Sequence, residues 1–242
     1  LDPVEMRRRN AVGEGDTSVH GWEVTSCGLE DCLDMVRDRI QSHRNDSGLV
    51  SDGRFKIGYG LAAVIHCVSN SGHDEATDIS NIIISVDPDG TICVASGEVE
   101  LGAGTAEVLQ RTVERELDIK RGQFRFVLGH TSTGPFGRGS FASRTSFFMA
   151  HAAIAGCKIF SENCSKLVDD LGLETNASIA EIAKLAAQKG HAESLKATAQ
   201  FIPENVVAAD DHGYGNIASA YTFAVHGACV KVDTLTGKTM IQ

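Results

Sequence analysis

The sequence predicts an α+β fold, a layered domain of mixed and antiparallel β-sheets with helices packed on one side. Three observations point there. Apolar residues switch between strand and helix spacing in β-β-α-β-α order, hairpin turn signals separate neighbouring strands, and two glycine-rich stretches each lead from a strand into a helix. Helices kept apart from hairpins favour α+β layering over a doubly wound parallel sheet.

In chain order, residues 3–10 form a first helix, with Asp2-Pro3 as its cap and first-turn pair; the helix looks like the continuation of one that begins upstream. A second helix covers Leu29 to Arg44, because Leu29, Cys32, Leu33, Val36 and Ile40 recur at helical spacing. The polar stretch Asn45 to Gly53 is a loop. Strands follow at Phe55–Cys67, Asn81–Val86 and Thr91–Ala95, the last two joined by the turn Asp87-Pro88-Asp89-Gly90. A helix spans Thr105–Leu117, a short strand Gln123–Leu128, and a long helix Ser143–Glu162. Ser178-x-x-Glu181 is a capping box that starts another helix. Strands at Ala197–Ile202 and Ala218–Asp233 come last, and Thr236 to Gln242 looks like a hairpin whose second strand is cut short. No repeat or low-complexity segment is evident.

Composition excludes several classes of function. A chain of 242 residues that is 42% apolar can bury a real core. No run approaches the roughly 18 uninterrupted apolar residues of a membrane span, so no membrane association is expected. The net charge of −10 opposes nucleic acid as a partner, since phosphate recognition wants a basic surface. The basic run Arg7-Arg8-Arg9 is flanked by Glu5, Glu14 and Asp16 and suits a solvated helix face or a salt-bridged contact. Seven cysteines, an odd number without a CxxC pair, suit a reducing cytoplasm and hold no metal. The nine histidines, His73 among them, form no HxH or HExxH pattern, and Ser143 lacks a GxSxG setting.

Two segments carry chemistry. Gly97-Glu98-Val99-Glu100-Leu101-Gly102-Ala103-Gly104-Thr105 lies between a strand and a helix, where glycines let backbone approach a ligand and helix-start amides offer unpaired donors. It is neither a Walker loop nor a dinucleotide fingerprint. A second stretch, Gly134-Pro135-Phe136-Gly137-Arg138-Gly139-Ser140-Phe141-Ala142-Ser143-Arg144-Thr145, adds hydroxyls and two arginines, suiting an anionic ligand with many hydrogen-bonding atoms. From residue chemistry alone, an anion or cofactor site and a pair of structural turns both stay open.

Five ordered segments resemble the molybdopterin-binding region of the xanthine dehydrogenase/aldehyde oxidase family. Asp2 to Asn10 resembles its DPxExRxRN helix end, Val86 to Val94 its VxxDGxVxV hairpin, and Glu100 to Thr105 its ExGQGxxT turn. Ala142-Ser143-Arg144-Thr145 resembles its ASRxT helix start, and Val230 to Gly237 its VEVDxxTG hairpin. The resemblance covers nearly the whole chain and is weakest between Ser165 and Gly215.

The resemblance implies a molybdenum–molybdopterin cofactor held without any protein atom on the metal. Leu101, Gly102, Ala103 and Gly104 would line one side of the pterin, and Ala142 and Ser143 would meet another part of it. The implied reaction is oxidative hydroxylation of an aldehyde or N-heterocycle, with water as the oxygen source and a glutamate as general base. Electrons would leave through iron–sulfur clusters and FAD on other domains or subunits. Residues 1–53 would be an N-terminal helical connector, and 54–242 the molybdopterin-binding α+β domain, truncated at both ends relative to the family.

Two departures qualify what the resemblance implies. Ala103 stands where the family has a glutamine, removing a side-chain amide that could contact the cofactor, worth about 0.5–1.5 kcal/mol. The family's catalytic glutamate follows a glycine beyond the last hairpin, so no catalytic residue is assigned here, and Glu98 and Glu100 are expected to stabilise the turn. The isolated chain is therefore expected to be inactive and to need the remaining segments or subunits. An alternative is a non-catalytic cofactor-carrier or assembly module derived from that family, and another is an unrelated enzyme binding a phosphorylated metabolite on its two glycine loops.

Overall fold

The computed structural model describes residues 2–69, 78–119 and 124–242. Leu1, His73 and Gln123, on which sequence expectations fell, lie outside these described residues. In chain order the elements are α1 (Pro3–Arg9), α2 (Leu29–Asp46), β1 (Phe55–Val68), β2 (Ser80–Val86), β3 (Ile92–Ser96), α3 (Thr105–Leu117), β4 (Phe124–Leu128), α4 (Thr145–Leu171), α5 (Ile179–Gln188), β5 (Ala197–Phe201), β6 (Ala220–Asp233) and β7 (Thr239–Ile241). A 3-10 turn, Ala192–Leu195, precedes β5. Strands and helices alternate as expected, and the fold is α+β.

The chain divides into two compact units: residues 1–68 with 207–242, and residues 69–206. The boundary expected after Gly53 falls inside the first unit. β1 pairs with β6 along fourteen residues, Phe55↔Asp233 to Val68↔Ala220, and this ladder ties the N-terminal helices' neighbour strand to the end of the chain. Sequence pattern shows local periodicity; it does not show which distant strand completes a ladder.

In the first unit, β1, β6 and β7 form an antiparallel sheet in the order β1-β6-β7. α2 packs on it through the face seen in the sequence, with Leu33 fully buried and Val36 and Ile40 resting on Gly227, where a Cβ would sit 2.9 Å from Val36. Val4 of α1 joins Leu29 and Leu33 in a small core. Asp2 caps α1 as expected, its Oδ1 accepting the Val4 and Glu5 amides at 2.8 and 3.0 Å.

The second unit holds a mixed sheet in the order β4-β3-β2-β5. β2 pairs antiparallel with both β3 and β5, whereas β3 and β4 run parallel. The turn at Asp87 to Gly90 closes as expected: the Asp87 amide donates to the Thr91 carbonyl at 2.9 Å, and Gly90 adopts φ +90°. Ile82, Ile84, Ile92 and Val94 of the sheet meet Leu109 and Val113 of α3 and Met149, Ala152, Ala153, Cys157 and Phe160 of α4 in one core. Gly156 makes this contact close, since a Cβ there would lie 2.9 Å from Ile82.

α4 departs from expectation at both ends. It begins at Thr145 and runs to Leu171, nine residues past Glu162. Leu167 and Val168 carry the buried face onward across the polar Ser161-Glu162-Asn163 run, and Gly172 at φ +65° ends the helix. α5 opens with the expected capping box, Ser178 and Glu181 exchanging hydrogen bonds. Among the described residues no helix is long and apolar enough to cross a membrane.

Candidate functional site

The parallel pairing of β3 and β4 explains why the two glycine-rich stretches meet. Ser96 and Leu128 are register partners at the C-terminal ends of these strands. Both stretches therefore leave the sheet at the same end, the first running into α3 and the second into α4. Carboxyl ends of parallel strands are where ligands gather in α/β units, because helix starts are brought there together.

Contacts between the stretches are close and specific. Gly97 lies against Gly137, and a Cβ on Gly97 would come within 2.3 Å of the Gly137 nitrogen. These two glycines bring the loops to each other, a role distinct from approach to a ligand. Ser140 adds a double bond across the gap: its Oγ donates to the Val99 carbonyl at 2.8 Å and accepts the Val99 amide at 3.1 Å. Asn81 Nδ2 of β2 donates to the Phe136 carbonyl at 2.8 Å.

Beneath these contacts sits a fully buried ion cluster. Arg144 donates from Nη1 to Glu98 Oε1 at 2.8 Å and to the Gly139 carbonyl at 2.9 Å, and from Nη2 to the Ile79 carbonyl at 2.5 Å. Its Nε lies 2.6 Å from Asp78 Oδ1, an ionic contact in which the N–H is not aligned for a hydrogen bond. Asp78, Glu98 and Arg144 side chains are all 0% exposed. Ser80 donates to Glu98 at 3.0 Å, and Ser69 pairs with Asp78. One arginine thus ties the end of the second stretch to the start of the first and to the segment leading into β2. The sequence assigned Glu98 to the turn's own support; that Arg144 is its partner across 46 positions was not legible.

Glu100 closes the first turn. Its Oε1 accepts the amides of Gly102 at 2.6 Å and Gly104 at 3.1 Å, and its Oε2 accepts the Ala106 amide at 3.0 Å. These bonds, the Ala106 amide foremost, hold the carboxyl below the usual glutamate range. Gly102 and Gly104 adopt φ +90° and +79°, which permits the curl, and a Cβ at either would meet nothing within 4 Å. The amides of Gly102 and Gly104, expected to serve a ligand, are directed to the protein's own carboxylate.

Four of the six expected site residues line one cleft of about 360 Å³: Leu101, Ala103, Ala142 and Ser143, joined by Thr105, Ser140, Phe141, Thr145 and Ser146. Gly102 and Gly104 shape its wall without lining it. Ala142 and Ser143 precede α4 rather than open it, at φ +45° and +53°. Such left-handed backbone in residues with a Cβ costs about 1–3 kcal/mol each and is held where surroundings over-determine it. Here the Ala142 carbonyl accepts the Ser69 amide at 2.8 Å, and Arg144 is locked one residue on.

The cleft's volume falls in the range of small-molecule sites, roughly 300–1,000 Å³. Ser143, Thr145 and Ser146 line it beside the apolar Leu101, Ala103 and Phe141. Among the described residues that line it, none carries an acid, a base or a thiol. Such a wall suits a flat heterocycle with many hydrogen-bonding atoms, so the residues present fit a pterin. Among the described residues, no three His, Cys, Asp or Glu side chains come together as metal ligands.

Comparison with known proteins agrees with this geometry. Residues 35–242 match the family described as molybdopterin cofactor-binding domain, and the chain belongs to that family. Its cofactor is molybdenum–molybdopterin, and the enzymes that share the domain are of xanthine dehydrogenase and aldehyde oxidoreductase type. The xanthine dehydrogenase molybdenum-binding subunit of Escherichia coli O157:H7 is 29% identical over 165 residues, 67% of this chain and 22% of that protein. The aldehyde oxidoreductase of Megalodesulfovibrio gigas is 25% identical over 246 residues, 100% of this chain and 26% of that protein. The solved aldehyde oxidoreductase from Desulfovibrio gigas superposes over 100% of this chain and 26% of its own, with a TM-score of 0.81 at 23% identity. The chain therefore spans about a quarter of the length of these relatives.

Proposed function

We propose that this chain forms one wall of the molybdopterin pocket in an enzyme that hydroxylates an aldehyde or an N-heterocycle with oxygen from water. The observation that carries the reading is the single cleft formed by Leu101, Ala103, Ala142 and Ser143, held in shape by the buried Glu98–Arg144 pair. Bound molybdopterin would supply the redox chemistry and the site of oxygen transfer. This chain's residues bind and orient. Ser143, Thr145 and Ser146 would offer hydroxyls to pterin heteroatoms, and Leu101 and Phe141 would exclude water from its faces.

We place the proton-transferring group on another segment or subunit, in keeping with a lining that holds no acid or base among the described residues. Electron acceptors of the iron–sulfur and FAD types would sit on other domains or subunits, in keeping with the family to which the chain belongs. We place the assembly in the cytoplasm, in keeping with seven free cysteines, with a small-molecule substrate as its other partner. The test is metal and pterin analysis of the native complex, followed by dye reduction with an aldehyde and with a purine. Stoichiometric molybdenum, with turnover by the complex and none by the chain alone, is the expected result. A complex free of molybdenum and pterin would overturn the reading.

The alternative, a non-catalytic cofactor-carrier or assembly module, draws on one observation: Ala103 gives the cleft a methyl group where a hydrogen-bonding side chain could reach a ligand. It predicts a complex that contains cofactor yet reduces no dye with either substrate class.

A further inference from the structure

The first turn holds more negative charge than a cofactor wall for an anionic ligand would call for. Among the described residues no ion pair engages Glu100; its carboxylate is spent on three backbone amides at the start of α3. A carboxylate accepts through about four lone-pair sites, so three N–H donors nearly saturate it. Convergent amides in a curled turn are the usual seat of a phosphate. Here that seat is filled from within, two residues from the first donor and six from the last.

We infer that Glu100 is a built-in anion that determines what this wall accepts: it holds the turn in its binding shape and bars the phosphate of the cofactor from the amide cradle. The inference rests on the reading of the cleft as the molybdopterin site. The wall then meets its ligand through the side chains of Leu101 and Ala103, a neutral apolar edge suited to a ring and not to a charged group. Phosphate is directed to other parts of the pocket. An intramolecular carboxylate this close competes at an effective concentration of millimolar order or above, so external phosphate below that range stays out.

The experiment uses the full chain, labelled with ¹⁵N, titrated with inorganic phosphate at constant ionic strength. In the native chain the Gly102, Gly104 and Ala106 amides should not move through the low-millimolar range. In Glu100→Ala the same three amides should shift saturably, with half-saturation at least about tenfold lower than in the native chain. Glu100→Gln, which removes the charge and keeps one acceptor, should fall between them and decides the matter if the alanine variant does not fold. Native amides that shift as readily as those of Glu100→Ala would overturn the proposal, as would folded variants that take up no phosphate. Loss of a dispersed spectrum in both variants would overturn it too, because a carboxylate required for folding is a cap and not a filter. No molybdopterin enters this titration, so its failure is distinct from a native complex lacking molybdenum.

Discussion

Replacing Arg144 by methionine keeps the side chain's bulk and removes its charge. Asp78 and Glu98 would then be left as two fully buried carboxylates with, among the described residues, the Ser69 and Ser80 hydroxyls as side-chain partners, and the carbonyls of Ile79 and Gly139 would each lose a donor. Removing one member of a buried, hydrogen-bonded charge cluster costs about 3–5 kcal/mol, chiefly because the opposite charges stay buried unpaired. At about 2–4 °C per kcal/mol for a protein of this size, the melting temperature should fall by roughly 6–20 °C. Arg111→Met is the control. Its exposed i,i+4 pair with Glu107, 3.0 Å long on a side chain 74% exposed, should change stability by less than about 1 kcal/mol. Calorimetry of both variants measures the contrast. Adding Asp78→Asn and Glu98→Gln to Arg144→Met should recover part of the loss, since no uncompensated charge remains. The reasoning is refuted if Arg144→Met melts within the range of Arg111→Met, or if the triple variant is no more stable than the single one.

Gly97→Ala should separate the two stretches, because the new methyl would lie 2.3–2.8 Å from backbone atoms of Phe136 and Gly137, which cannot rotate aside. A cost of about 1–3 kcal/mol and reduced molybdenum content of the native complex are expected, read by urea unfolding and metal analysis. Asp233 should make the first unit acid-sensitive. The Arg54 guanidinium, at 2.6 and 3.0 Å, holds this carboxyl well below the usual aspartate range. A depressed folded-state pKa stabilises above the ordinary value of about 3.9, and the contribution disappears as pH falls through the folded value. Melting temperature should therefore drop more steeply between about pH 5 and pH 2 in the native chain than in Arg54→Met. Parallel slopes would show that the pair carries no linkage.

Much of the fold was legible because its elements are locally coded. Helical spacing in α2, the cap of α1, the box of α5 and the turn at Asp87 to Gly90 each depend on residues within a few positions of one another. The start of α4 was placed two residues early, since Ala142 and Ser143 carry side chains that ordinarily avoid left-handed backbone. Only the surrounding contacts, the Ser69 amide on Ala142 and the locked Arg144, hold them there. The pairing of β1 with β6 was not legible either, because β6 lies more than 150 positions from the strand it completes.

The site divides along the same line. Leu101, Ala103, Ala142 and Ser143, expected at a cofactor from a strand-to-helix turn and from the order of five family-like segments, line one cleft. The sequence by itself determined which turns could curl, because positive φ at Gly102 and Gly104 is a property of single residues. Tertiary structure alone decided that Gly97 and Gly137 would serve each other, that Glu100 would fill the amides of its own turn, and that Arg144 would neutralise Glu98. Those outcomes depend on the parallel register of β3 and β4, which sets both stretches side by side, and on burial, which makes an unpaired charge costly enough to fix its partner.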